Sequence, residues 1–319
     1  MIRRVALAAL LLASLAASPG ATRMAHKDQD GFSCAHAVRY DGLGAPPGPD
    51  RALPFGARLI ALPQASERVV AFDPGGGQLF FTVVGPPGPQ IMQSLYRDGR
   101  WQAPVRAAFS DVGFNTEPSF SPDGRTLFFV STRPPSKATD IWKVERSGAG
   151  WSTPVRLGDA VNSDGYEWHP QATANGDLYF AAEDRKDSQG GADLYRAIFH
   201  NGAYAPAQNL GPRINSSSVE WDAYVSPSGA YLIFKSDRPG GYGGLDIYLS
   251  IRDGEGWSVP RNLGSAVNTT DDEDTGEVTP DGRFMTFARR KPGTGQWTMY
   301  WIDMRAVRPA TSGCRGAGN

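Results

Sequence analysis

Carboxylates recur at one position of an internal repeat in this sequence. A phenylalanine closes a similar segment at positions 81, 129, 180, 234 and 287, and the residue 14 positions earlier (13 in the third copy) is polar each time: Glu67, Asn115, Glu167, Glu220 and Glu273. Several carboxylates at one place hold a negative potential that suits a cation such as Ca²⁺, which makes Glu67, Glu167, Glu220 and Glu273 a candidate calcium ring. A structural role is the favoured alternative, because a residue repeated in every copy can accept backbone N–H groups from the adjoining turn.

Residues that break the repeat are better candidates for ligand binding. Trp168 and His169 follow the repeated glutamate in the third copy, and Trp221 and Asp222 follow it in the fourth. An indole beside an imidazole or a carboxylate offers an aromatic platform with a polar group, which suits a sugar or a peptide; ordinary packing within a strand is the alternative. The candidate ligand-binding set is therefore Glu167, Trp168, His169, Glu220, Trp221, Asp222 and Glu273.

Enzyme signatures are missing from the sequence, which contains no Gly-x-Ser-x-Gly, His-Glu-x-x-His or phosphate-binding glycine loop. His169 and His200 are the histidines within the repeats, too few for a multi-histidine metal site. The acidic run at 269–274 lacks calcium-loop spacing, so we interpret it as a solvated loop. The sequence indicates no catalytic residue, and Ca²⁺ is the one cofactor that its carboxylates suggest. A carbohydrate-active hydrolase or lyase remains an alternative, with paired carboxylates among Glu167, Glu220, Asp222 and Glu273.

The elements that position these residues are short strands in a fixed order. A turn of Pro-Asp-Gly type separates two strands in each copy, as in SFSPDGRTLFF at 119–129, because proline presets φ and glycine permits a positive φ. A third strand opens with Asp140, Asp193 or Asp246, and we expect these aspartates to pair with Arg133, Arg185 and Arg238 of the same copies. Four strands in about 50 residues, without helical periodicity, predict one blade of an all-β propeller of antiparallel sheets.

The number of copies predicts five blades. Six blades remain an alternative if residues 38–56 form further strands. The fifth copy ends without a fourth strand, and we expect the apolar segment 58–62 (RLIAL) to supply it from the N-terminal side and close the ring. Cys34 and Cys314 lie on either side of the point where the ring closes, which we call the seam. A single cysteine pair in an exported chain predicts a disulfide.

The repeat resembles the WD40-like β-propeller family of TolB type. The resemblance rests on the Ser-Pro-Asp-Gly turn, the Ser-x-Arg stretches at 131–133 and 236–238, and above all FKSDRPGGYGGLDIY at 234–248, and it covers residues 58–304. It implies the fold but no single activity, because propellers host binding modules and enzymes alike. TolB itself carries an α/β domain before its propeller, so we expect a relative of that family rather than TolB.

The net charge and the apolar N-terminal run restrict the class of partner and the cellular compartment. The net charge of −1 argues against nucleic acid as a partner. A basic start and an apolar run of 13 residues, too short to span a bilayer, predict a signal peptide and hence a periplasmic or secreted protein that does not insert into the membrane. We expect a signal at 1–21, a Gly/Pro-rich segment at 22–54, the propeller at 55–306 and a tail at 307–319. The expected function is non-enzymatic binding or scaffolding by a monomer, with a protein, peptide or glycan as ligand.

Overall fold

The protein is an all-β propeller of five blades, as the repeat predicts. The structure is a computed structural model that describes residues 27–32, 38–56, 59–60, 66–148, 150–254, 256–290 and 293–308. Cys34, Cys314 and the predicted signal peptide lie outside the described residues. In the part of the chain described, no helix is long and apolar enough to cross a membrane.

The first two blades share one plan, in which three long antiparallel strands are followed by two short strands on the outer edge. The chain first forms β1 (Leu53–Pro54). The first blade comprises β2 (Ser66–Phe72), β3 (Gln78–Val84), β4 (Gln90–Arg97), β5 (Arg100–Trp101) and β6 (Val105–Arg106). The second comprises β7 (Asn115–Phe120), β8 (Thr126–Ser131), β9 (Asp140–Ser147), β10 (Gly150–Trp151) and β11 (Val155–Arg156).

The remaining blades follow the same plan with small variations. The third comprises β12 (Tyr166–Ala172), β13 (Leu178–Glu183), β14 (Ala192–Ala197), the hairpin β15 (Phe199–His200) and β16 (Ala203–Tyr204), and β17 (Gln208–Asn209). The fourth comprises β18 (Glu220–Val225), β19 (Tyr231–Ser236), β20 (Asp246–Asp253), β21 (Gly256–Trp257) and β22 (Arg261–Asn262). The fifth comprises β23 (Glu273–Val278), β24 (Phe284–Arg290) and β25 (Trp297–Asp303), followed by the helical turn α1 (Met304–Val307).

A strand from the N-terminal side closes the ring, but it is not the predicted one. β1 pairs antiparallel with β25, with Leu53 opposite Trp301 and Pro54 opposite Tyr300, and so completes the fifth blade. Of the predicted strand at 58–62 the structure describes only Leu59 and Ile60, and these form a turn in which both backbone N–H groups donate to the Gly56 carbonyl at 2.7 and 2.9 Å. The prediction that this segment supplies the closing strand was therefore wrong. Burial rather than strand pairing explains the apolar character of Ile60.

Five apolar clusters fill the five spaces between neighbouring blades, which is what a closed ring requires. The repeated phenylalanines lie in these clusters with no solvent exposure: Phe81, Phe129, Phe180, Phe234 and Phe287. Burial of each contributes about 1.5–3 kcal/mol relative to an exposed ring. The clusters therefore hold the first strand of every blade around one central axis.

Candidate functional site

The repeated polar residues at the start of each first strand bind their own blades. Glu167 Oε1 accepts a hydrogen bond from Arg185 at 2.8 Å, and Glu220 Oε1 accepts one from Arg238 at 2.9 Å. Asn115 Oδ1 accepts the equivalent hydrogen bond from Arg133 at 2.8 Å. We call this contact the blade clasp.

The same carboxylates also cap the loop that precedes them. The hydroxyl groups of Ser163, Ser216 and Thr269 each donate at 2.6 Å, to Glu167, Glu220 and Glu273 respectively. Glu273 lies 3.7 Å from the guanidinium of Arg289, and burial raises its pKa to about 7. The side chain of Glu67 is outside the described ones. Of the candidate calcium ring, Glu167, Glu220 and Glu273 thus each bind groups of their own blade.

The blade clasp replaces the predicted Asp–Arg bridge. Asp140 binds Arg156 at 2.6 Å, whereas Asp193 and Asp246 accept hydrogen bonds from Asn209 at 2.7 Å and from Asn262 at 2.9 Å. The prediction of pairs with Arg133, Arg185 and Arg238 was therefore wrong. Each arginine reaches back to the first strand of its blade, while the aspartates stabilise the loop and the outer strand beside them.

A bulge interrupts the pairing of each first strand. In the first four blades it lies two residues beyond the clasp position, and the residue there has a positive φ: Val69 (43°), Glu117 (53°), His169 (46°) and Asp222 (53°). In the fifth blade the register shifts between Thr275 and Val278. A positive φ is costly for residues other than glycine and occurs where a bulge redirects a side chain. The repeated bulge therefore brings residues from separate blades together.

Glu117, His169 and Asp222 meet on the axis, with one ligand-type atom of each lying within 4.8 Å of the others. They come from the second, third and fourth blades. Glu117 accepts a hydrogen bond from the backbone N–H of His169 at 2.7 Å. His169 Nδ1 lies 3.9 Å from Asp222 Oδ1, and Nε2 lies 4.0 Å from Glu277 Oε1. Neither imidazole nitrogen has a hydrogen-bond partner among the described residues.

Two cations and a third aspartate adjoin these residues. Lys235 binds Asp222 and also Asp274, the latter at 2.6 Å, and Arg68 Nε donates to Asp274 at 2.8 Å. Asp274 belongs to the acidic run interpreted as solvated, but it is 2% exposed. We call the whole group the axial cluster, and its members are Arg68, Glu117, His169, Asp222, Lys235, Asp274 and Glu277.

Burial sets the ionisation of the axial cluster. It lowers the pKa of His169 to about 3, so the imidazole is neutral. It raises the pKa of Glu277 to about 8, and it holds the pKa of Asp222 well above the usual range. Burial acts in the same direction on Asp274, but Arg68 and Lys235 outweigh it and hold the pKa of that carboxyl well below its usual range. The cluster therefore contains both a firmly ionised carboxylate and carboxyls that retain protons.

The two candidate tryptophans lie beside the axis in different roles. The Trp168 indole N–H donates to Glu183 at 3.0 Å, and the ring stacks on Tyr166 with a centroid separation of 6.2 Å. Trp221 packs against Lys235, whose Nζ lies 5.4 Å from the ring centroid. Both rings are partly buried against the cluster between the third and fourth blades. Of the candidate set, the structure thus brings His169 and Asp222 together and places Trp221 beside them.

A cavity of about 560 Å³ opens at the other end of the first strands. Five equivalent turns surround it, and each is closed by a hydrogen bond from a glycine N–H three residues on, as from Gly124 to the Ser121 carbonyl at 2.8 Å. The second residue of every turn lines the opening: Pro74, Pro122, Ala174, Pro227 and Pro280. We call this end of the channel the turn mouth.

Apolar side chains form much of the wall of the turn mouth, polar side chains lie on its floor and at its rim, and the N-terminal residues Lys27, Gly31 and Phe32 also line it. The last residues of the first strands form the wall: Phe72, Phe120, Ala172, Val225 and Val278. Gln171 and Glu277 lie deeper and are joined by a hydrogen bond from the Gln171 amide to the Glu277 carboxyl. On one side the cavity extends toward the half-exposed ring of Phe199. Glu277 thus contacts both the cavity and the axial cluster.

Sequence reasoning missed Arg68, Lys235, Glu277 and the cavity. A signal was present for the cavity, because proline recurs as the second residue of four turns. For the axial cluster, Glu117, His169 and Asp222 share a position two residues beyond the repeated polar residue. Lys235 lies on a second strand, and no repeat marks it.

Comparison with known proteins defines the fold. No protein-family model matches the chain, and no curated protein is similar to it. A solved glycoside hydrolase is similar with a TM-score of 0.53 at 10% identity, over 89% of this chain and 94% of that one. The putative TolB from Agrobacterium tumefaciens gives 0.50 at 16% identity, over 76% and 78%. TolB from Acinetobacter baumannii gives 0.47 at 17% identity over 74% of this chain, which spans 54% of that protein's length. The first two of these likenesses establish the fold, a β-propeller of the kind found in the putative TolB from Agrobacterium tumefaciens.

Proposed function

We propose that this protein is an exported binding propeller that captures an extended peptide segment of a partner protein at the turn mouth. The observation that carries the proposal is the ring of four prolines and one alanine around a cavity of about 560 Å³. This volume falls within the range of sites that enclose a small ligand or a short chain segment. Because proline and closed turns are rigid, little conformational entropy is lost when a ligand binds.

The chemistry of the cavity favours a peptide over a glycan. The wall presents Phe72, Phe120 and Val225, which suit an apolar side chain. On the floor, Gln171 and Glu277 already bind each other, so the polar groups available to a ligand lie mainly at the rim. A sugar carries a hydroxyl on nearly every carbon and needs many polar partners, whereas a peptide with one apolar anchor needs few.

The hydrolase alternative has weaker support from the same geometry. Glycoside hydrolysis uses two carboxyl groups on either side of the scissile bond. Among the described residues that line the cavity, Glu277 is the one buried carboxyl, and Asp123 and Glu145 lie exposed at the rim. Glu117 and Asp222 do not line it.

The experiment is a peptide selection on the mature protein followed by affinity measurement on two variants. Ala174→Trp places an indole in the turn mouth at an exposed position, and Ala103→Trp places the same group at an exposed position outside the cavity. We expect selected peptides to carry an apolar anchor and to bind Ala174→Trp at least about tenfold more weakly, with Ala103→Trp unchanged.

Other outcomes would replace the proposal. Equal binding by Ala174→Trp and the unmodified protein would place the ligand elsewhere. A glycan array that gives binding sensitive to Ala174→Trp, with no peptide selected, would make the ligand a glycan. Turnover of a glycan that Glu277→Gln abolishes would make the protein a hydrolase.

A further inference from the structure

The strongest unassigned feature lies inside the channel, where side chains of three separate blades converge. Glu117, His169 and Asp222 occupy equivalent positions in their strands, and each has a positive φ. One nitrogen and two carboxylate oxygens lie within 4.8 Å of one another. Such positions are costly, so their repetition at one point of the axis suggests that the convergence serves a purpose.

His169 is an unsatisfied donor and acceptor within this group. Its side chain is 1% exposed, and neither ring nitrogen has a hydrogen-bond partner among the described residues. Buried polar groups are almost always paired, and an imidazole without a partner is a recognised ligand for a metal ion. Its Nδ1 faces Asp222 Oδ1 at 3.9 Å, a gap too long for a direct hydrogen bond.

Charge balance in the axial cluster points the same way. Its carboxylates are those of Glu117, Asp222, Asp274 and Glu277, and its cations are Arg68 and Lys235. The four carboxyls outnumber the two cations by two, and a buried site avoids uncompensated charge. Either two protons on the carboxyls or one divalent cation balances this excess, and a metal ion displaces protons from its ligands when it binds.

We propose that Glu117, His169 and Asp222 form a binding site for one divalent transition-metal ion on the propeller axis. One imidazole with two carboxylates suits Zn²⁺ or a similar ion better than Ca²⁺, which prefers oxygen ligands alone. Tetrahedral Zn²⁺ ligands are about 3.4 Å apart, so the ligand atoms, which lie within 4.8 Å of one another, must approach by up to about 1.4 Å.

The neighbouring residues fit supporting roles. Lys235 binds Oδ2 of Asp222 and also binds Asp274, which Arg68 contacts as well, so Asp222 Oδ1 is the oxygen that faces the imidazole. Partners of this kind hold ligands in position around a metal. With three protein ligands, the ion keeps a coordination position for water or for a group of a bound partner.

The test is titration of the mature protein with Zn²⁺ alone, after treatment with EDTA, by calorimetry and metal analysis. We expect one Zn²⁺ per chain and an increase of the melting temperature by a few degrees at saturation. Asp222→Asn and His169→Gln preserve side-chain size and should weaken binding about a hundredfold or more. Glu220→Gln is the matched control, because Glu220 is a buried carboxylate of the blade clasp outside the cluster, and it should bind as the unmodified protein does.

Co²⁺ absorption gives a second readout that does not depend on stability. Four-coordinate Co²⁺ absorbs much more strongly in the visible than six-coordinate aqueous Co²⁺, so we expect strong bands with the unmodified protein and with Glu220→Gln, but not with His169→Gln. The proposal is overturned if the unmodified protein binds no Zn²⁺, if His169→Gln binds it equally well, or if Ca²⁺ binds more tightly than Zn²⁺. Because the probe is the metal alone, these outcomes are independent of peptide binding at the turn mouth.

Discussion

The blade clasp makes a quantitative prediction at Glu220. This carboxylate is fully buried and accepts four hydrogen bonds: from Ser216 N (2.8 Å), Ser216 Oγ (2.6 Å), Ser236 Oγ (3.1 Å) and Arg238 Nη2 (2.9 Å). Glu220→Ala leaves the mostly buried guanidinium of Arg238 without its counter-charge and the Ser216 N–H without its acceptor. Breaking a buried ion pair in this way costs about 3–5 kcal/mol of unfolding free energy.

Thermal unfolding followed by circular dichroism measures this loss. At about 2 °C per kcal/mol for a chain of this size, Glu220→Ala should lower the melting temperature by roughly 6–10 °C. The control is Glu145→Ala, which removes an exposed carboxylate 2.6 Å from Lys143 and should cost less than about 1 kcal/mol. If Glu220→Ala instead unfolds at the unmodified temperature but loses ligand binding, Glu220 is a binding residue and the structural role of the clasp is refuted.

Two further predictions concern the axis and the seam. Because the folded-state pKa of Glu277 is about 8 against an ordinary 4.5, the folded state binds the extra proton between these values, and stability falls as pH rises through that window. Glu277→Gln should therefore flatten the decline in unfolding free energy between pH 5 and pH 9 in EDTA; an unchanged slope would show that Glu277 ionises normally. At the seam, Phe55 is 2% exposed and packs 5.4 Å from Trp301, so Phe55→Ala should cost about 3–5 kcal/mol in denaturant unfolding. Phe114→Ala, at a half-exposed position, should cost far less. Equal costs would contradict the prediction that the packing of Phe55 stabilises the closed ring.

The blades could be predicted from the sequence because each copy repeats the same local physics. Phe129 and its equivalents fill the spaces between blades, and the Pro-Asp-Gly turns fix the hairpins. Each repeat of the sequence therefore forms one blade. The closing strand was harder to predict. Leu53 and Pro54 form only a two-residue pairing with β25, whereas the apolar Leu59 and Ile60 form a turn in which Ile60 is buried. Hydrophobicity predicted burial there, but pairing depends on the tertiary position of Trp301.

The side-chain partners needed the structure for a similar reason. Asp193 and Arg185 are close in sequence, yet Arg185 reaches across to Glu167 on the first strand. The sequence singled out His169 and Asp222 as departures from the repeat, and the structure brings them together. It could not indicate that Lys235 from a second strand would join them, because Lys235 occupies no repeated position and its contacts with Asp222 and Asp274 depend on the tertiary structure.

Hydrogen–deuterium exchange with a selected peptide shows which end of the channel a partner segment contacts. If the segment binds at the turn mouth, exchange slows in the five turns that contain Pro74, Pro122, Ala174, Pro227 and Pro280, with little change in the loops at 163–166, 216–219 and 269–272 that precede the first strands. Slower exchange in those loops, with the five turns unchanged, would place the ligand at the opposite end of the channel and refute binding at the turn mouth.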